Sequence, residues 1–188
     1  MLQTTIRKIT GSDVITNIFY GLSGIALKGL GAPFLGWIAP ILLMVGSGIH
    51  HYYKKKSTSY LDWAGIYAVF TTLFWFSIYS GEIANFLTAL TVGIVVMTDV
   101  ISEGSFRKEM LATIGTGLLV SLGVQQGIST AFDVAVVFSI AFIPWKIAED
   151  IGWHTPRYKL YHGFWHILTS YGVLQTGKIV FDLTESLF

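Results

Sequence analysis

His162 and His166 stand four positions apart in the run Tyr158-Lys-Leu-Tyr-His-Gly-Phe-Trp-His-Ile-Leu-Thr-Ser-Tyr-Gly, which is otherwise mostly apolar and aromatic. On a helix, an i, i+4 pair shares one face, one turn apart. Ionisable side chains inside a membrane helix are costly, so their presence points to a function. Two imidazoles on one face make half of a metal site. A second i, i+4 pair, Ser47 and His51, closes an earlier apolar run, and Asp62 follows it eleven residues later. His51, His162 and His166 together are the donor set of a catalytic zinc, three neutral imidazoles with a fourth position open to water. A bound zinc lowers the pKa of such a water to about 7. Asp62 could hold that water, take its proton and pass it to a leaving group. The Ser47 hydroxyl could bond the water or a developing oxyanion. Zinc suits imidazole, and hydrolysis needs no redox change. Taken alone, the pair His162 and His166 reads equally as a hydrogen-bonded contact between helices.

Those residues serve one site only if the elements bearing them bring them to one depth. Charged residues make up 12% of the 188-residue chain, against about 25% in an average soluble domain. With 53% hydrophobic residues and a mean hydropathy of +0.62, the chain reads as an all-α integral membrane protein, one seven-helix bundle over 1–188. No cysteine is present, so disulfides and thiolate metal sites are excluded. The net charge of +1 gives no reason to expect a nucleic-acid partner.

The expected spans are roughly 12–30, 33–53, 60–80, 82–101, 108–126, 128–147 and 158–180, each near the ~20 residues that cross a bilayer core. Pro33 suits the first turn of the second span, and Pro40 should kink it. Seven spans put the termini on opposite sides. Arg7, Lys8, Lys54, Lys55, Lys56, Arg107, Lys108, Lys146, Arg157 and Lys159 then share the N-terminal side, against Lys28 and Lys178 on the other. By the positive-inside rule the N-terminus is cytoplasmic and the C-terminus outside. Tyr52, Tyr53, Tyr60, Trp145, Trp153 and Tyr158 gather at the cytoplasmic span ends, as an interfacial aromatic belt does. Ser47, His51, Asp62, His162 and His166 all fall in that same cytoplasmic layer. The expected location is a bacterial inner membrane, with the site near its cytoplasmic face.

Ser47-x-x-x-His51 closing the second span, Asp62 opening the third, and His162-x-x-x-His166 opening the seventh resemble the pattern of the CREST superfamily of membrane hydrolases. That group includes the alkaline ceramidases and the progestin and adipoQ receptors. The tight loop between His51 and Asp62, and the run His162-Gly-Phe-Trp-His166-Ile-Leu-Thr, are most similar to the alkaline ceramidases. The resemblance implies a seven-helix fold, a zinc held by His51, His162 and His166, and supporting roles for Asp62 and Ser47. It implies hydrolysis of the amide in ceramide or a similar acylated membrane lipid, releasing a fatty acid and an amine. One departure stands out. Alkaline ceramidases carry an acidic, Trp-containing, calcium-binding N-terminal segment, whereas residues 10–17 here read Thr-Gly-Ser-Asp-Val-Ile-Thr-Asn, without Trp or Glu.

Other polar residues have plainer readings. His50 points about 100° away from His51 on a helix. His154 reads as a solvated interfacial residue. Asp13 and Asp99 read as outer partners of the site or as hydrated helix ends. Gly21, Gly24, Gly46, Gly48, Gly93, Gly115 and Gly117 read as helix-packing positions. Three rival functions remain: a lipid receptor or sensor with a structural zinc, a haem-binding electron carrier, and a transporter with a His/Asp proton relay.

Overall fold

The computed structural model describes residues 12–152 and 155–183, with side chains from Val14 onward. Arg7, Lys8, Thr10, Gly11, the Ser12 and Asp13 side chains, Trp153 and His154 lie outside the described residues. Every regular element among the described residues is helical: α1 (Ser12–Ile15), α2 (Ile18–Gly29), α3 (Phe34–Tyr53), α4 (Lys56–Phe76), α5 (Gly81–Ile101), α6 (Arg107–Gln125), α7 (Ile128–Ile151) and α8 (Pro156–Val180). Three of them, α3, α5 and α7, are long and apolar enough to cross a membrane by length and composition. α4, α6 and α8 match them in length but turn polar side chains inward, among them Thr71, Thr72, Ser121, His162, His166 and Thr176.

The first expected span, 12–30, is not one helix. It breaks at Thr16 and Asn17, and the part beyond the break has 12 residues, about 18 Å of helix. Thr and Asn compete with the helix for hydrogen bonds, and the Thr16 hydroxyl is engaged by a distant helix, as described below. The third helix begins at Lys56 rather than near 60. Lys54 ends α3 in the left-handed conformation (φ 53°), its N–H donating to the His50 carbonyl at 2.7 Å. Only Lys55 then separates it from α4. The Lys55 N–H donates to the Thr58 hydroxyl at 3.3 Å, and that hydroxyl donates to the Lys55 carbonyl at 2.8 Å, closing the new helix start from within. Asp62 thereby sits in the second turn of α4, not the first. α8 starts where expected from its sequence: the Thr155 hydroxyl accepts from the Tyr158 N–H at 3.0 Å and Pro156 occupies the first turn. Pro33 is the N-cap residue of α3, and Pro40 lies inside that helix without interrupting it.

Neighbours in the bundle run α2, α3, α4, α6, α7, α8 and back to α2, with α5 packed chiefly on the outer side of α4. One side chain from each of these six helices meets in the core: Tyr20, Leu43, Ile66, Leu118, Val134 and Val173. The closest approach is between α3 and α4. A Cβ on Gly46 would lie 2.4 Å from the Leu61 carbonyl oxygen, and one on Gly65 2.5 Å from the Leu43 Cα. This contact sets the position of Asp62 relative to α3. Gly46→Ala must push the two backbones apart, at an expected cost of about 1–3 kcal/mol, read as a lowered melting temperature of the purified protein. An unchanged melting temperature would show that the contact is slack. Gly21, Gly24 and Gly117 are packing positions as expected, whereas Gly48, Gly93 and Gly115 have open space where a Cβ would stand.

Candidate metal centre

The C-terminal turn of α3 carries His51, and the first turns of α8 carry His162 and His166. All three are buried, at 3%, 5% and 0% exposure, and each offers a ring nitrogen within 4.8 Å of the others. The Nε2 atoms of His51 and His162 are 3.1 Å apart, and the three ring centroids are separated by 4.6 to 5.2 Å. Nε2 of His166 is buried without a hydrogen-bond partner. An orphaned buried nitrogen is costly unless something fills its lone pair, and a cation between the three rings would do so. The donor set fits such an ion: three imidazoles, no competing thiolate, and no carboxylate within the cluster.

The far sides of two rings are held as well. Thr16 Oγ1 lies 3.0 Å from Nδ1 of His166, and the Tyr158 hydroxyl 3.2 Å from Nδ1 of His162. An oxygen accepting from Nδ1–H leaves the lone pair on Nε2, facing the cluster. Tyr158 also stacks on His162, with planes 18° apart and centroids 5.0 Å apart. Tyr158 is thus a buried supporting residue rather than part of an interfacial belt. The break between α1 and α2 now has a use, since it turns Thr16 onto α8, and α1 packs against α8 and α3 beside the cluster. Such outer partners typically carry a 10- to 100-fold effect on metal affinity. Thr16→Val is expected to weaken zinc binding about tenfold, measured by competition with a chelating indicator, and unaltered affinity would remove Thr16 from the site.

His50 borders the same cavity but is not one of the three clustered rings, and its Nδ1 lies 3.2 Å from the Thr58 hydroxyl. The ring beside the pair on α8 is therefore that of His51. Asp62 borders the same cavity as His51 and His162, half-buried. The Ser47 hydroxyl lies beside its carboxyl, with Ser47 itself 2% exposed. The Tyr20 hydroxyl lies near Thr169 and the same carboxyl. The cavity measures about 790 Å³ and continues past Asp62 between α4, α6, α7 and α8 to Phe70, Leu118 and Val173. Its lining on α4, from Ser59 to Phe70, spans about 16 Å of helix axis. The Phe70 and Phe138 rings, with centroids 5.3 Å apart, both line it. Such a space has one polar end, bordered by imidazoles and a carboxylate, and a long apolar remainder.

Sequence reasoning brought His51, His162, His166, Asp62 and Ser47 to one depth, and the structure places them at one end of the bundle. It missed Thr16 and Tyr20, and it put Tyr158 in the interfacial belt. Asp99 is neither a hydrated helix end nor a partner of the histidines; it is buried and paired with Arg107. No model of a known protein family matches this chain, and no curated protein or solved structure matches it either.

Proposed function

We propose that the chain is a zinc-dependent intramembrane hydrolase that cleaves the amide of ceramide or a similar acylated lipid. The observation that carries the reading is the orphaned His166 Nε2, aimed with His51 and His162 at one point beside a long apolar cavity that Asp62 also borders. All seven helices from α2 to α8 would cross the bilayer, with the short α2 completed by α1. Large apolar side chains cover their outer surfaces, as Ile83, Phe86, Ile94 and Met97 do on α5, an area that water would not leave bare. The excess of basic residues at the histidine end supports a site near the cytoplasmic face.

His51, His162 and His166 would hold the zinc, which when bound supplies a Lewis acid and a water acidified to a pKa of about 7. Asp62 accepts a hydrogen bond from the attacking water, takes its proton and delivers it to the leaving amine nitrogen. Ser47, beside the Asp62 carboxyl, would orient it. The apolar length of the cavity holds the acyl chain and excludes bulk water. The products are a fatty acid and an amine.

A lipid sensor with a structural zinc is the alternative, and the burial of all three histidines favours it, because closed sites are the structural ones. Access to His51 and His162 from the cavity favours the hydrolase. Haem fits poorly, since its axial nitrogens approach from opposite faces of a wide ring, whereas these three rings converge on one point. The deciding experiment incubates the zinc-loaded protein in neutral detergent with ceramides and other N-acyl lipids and measures fatty-acid release by mass spectrometry. Release that depends on Asp62 supports the hydrolase; bound lipid that is never cleaved supports the sensor.

A further inference from the structure

Arg107, the first residue of α6, has its guanidinium held from several directions. Nε donates to Asp99 Oδ1 at 2.7 Å, and Nη2 donates to Asp99 Oδ2 at 3.0 Å and to Ser59 Oγ at 3.2 Å. The ring centroids of Tyr60 and Trp63 lie 5.1 and 5.4 Å from its Cζ. Gly104, at φ +86°, comes so close that a Cβ there would stand 2.9 Å from that carbon. Nη1 alone is left without a hydrogen-bond partner among the described residues. The Asp99 side chain is 2% exposed, that of Arg107 17%, and Arg107 lines the cavity that Asp62 and His51 border, while Asp99 does not. What the cavity meets is thus a rigid cationic edge with two spare N–H groups, its counter-ion hidden behind it. Neutralising Asp99 would need only the Nε and Nη2 donors. Two acids share the lining: Asp62, whose carboxylate also feels the Arg107 charge and lies beside the Ser47 hydroxyl, and Glu149, occupied by Lys108 and Lys146 at 3.3 and 3.7 Å.

We propose that Arg107 is a headgroup anchor, whose Nη1 receives an anionic oxygen, of phosphate or carboxylate, carried by the amphiphile in the cavity. Guanidinium is the side chain suited to such oxygens, with charge-assisted bonds about twice as strong as neutral ones. The proposal rests on the lipid-hydrolase reading and narrows its substrates to acyl lipids with an acidic group near the scissile amide. Neutral ceramide would then be a poor member of the class.

Binding tests the anchor without turnover. The full chain in neutral detergent is titrated with dodecyl phosphate, dodecanol and inorganic phosphate, followed by tryptophan fluorescence, which Trp63 beside the guanidinium reports. The expected result is dodecyl phosphate bound about tenfold or more tighter than either of the others. Equal binding of dodecanol overturns the anchor, and equal binding of inorganic phosphate makes the site one for free anions and overturns the lipid form. The double variant Arg107→Gln/Asp99→Asn removes the charge without stranding a buried carboxylate. It should lose the preference for dodecyl phosphate and keep dodecanol binding. A preference that survives, as phosphate held by the zinc would, also overturns the anchor. A chain that shows the Arg107-dependent preference but hydrolyses no lipid keeps the anchor and loses the hydrolase.

Discussion

A chain carrying both His162→Ala and His166→Ala is expected to be purified without metal, where the wild type carries about one zinc per chain. The double variant leaves His51 as the last of the three ring donors, and one imidazole does not retain a metal through purification. The same change should flatten the thermal response to zinc. Added metal stabilises whatever binds it in the folded state, so the wild-type melting temperature should rise with zinc and that of the variant should not. Elemental mass spectrometry reads the first effect and a thermal scan the second, with the helical circular dichroism signal confirming that the bundle has formed. A wild type that stays metal-free after zinc is supplied, with its helices intact, would sink the metal centre. His51, His162 and His166 would then be a hydrogen-bonded cluster joining α3 to α8.

Asp62→Asn is expected to reduce lipid hydrolysis by about 10²–10⁴-fold while leaving the zinc content unchanged. The amide has the size of the carboxylate and can still pair with Ser47, so packing is preserved and only the capacity to carry a proton is lost. Ser47→Ala should act in the same direction and more weakly, since it loosens Asp62 without removing it. Equal rates in wild type and Asp62→Asn, at equal metal content, would show that the proton travels by another route. Loss of zinc in Asp62→Asn would instead make the carboxyl part of the metal's own support.

The residues legible in the sequence share a property: their type is rare in an apolar helix and their spacing is that of one face. His162 and His166 announce themselves in that way, and Ser47 with His51 repeats the spacing. Their shared depth followed from an expected count of seven spans, and the structure brings the same residues together at one end of the bundle. Thr16 could not be found by such means. Threonine is common in the chain and carries no charge, and its use depends on a break with no Gly or Pro to mark it. Tyr158 was seen but misplaced, because aromatic residues at helix ends usually face the interface, whereas here the ring stacks on His162. The Arg107–Asp99 pair was hidden for a similar reason. Charges at helix ends ordinarily reach water, and only the packing of α4 over the turn after α5 buries them. Lys56 as the start of α4 was obscured by three consecutive lysines that read as loop. Three helices among the described residues pass as apolar spans by length and composition: α2 is too short at 12 residues, and α4, α6 and α8 lose average hydropathy through their charged first turns and their buried Thr, Ser and His.

The contacts that build the centre join the two ends of the chain. Thr16 meets His166 across 150 positions, and His51 meets His162 across 111. During synthesis, therefore, an ion would have no complete site while the helices from α1 to α7 emerge. His51 waits alone until α8 has been made and has docked between α2 and α7. An ion bound by the three rings would be the last part fitted, after these helices are in place, and would seal the assembly it depends on.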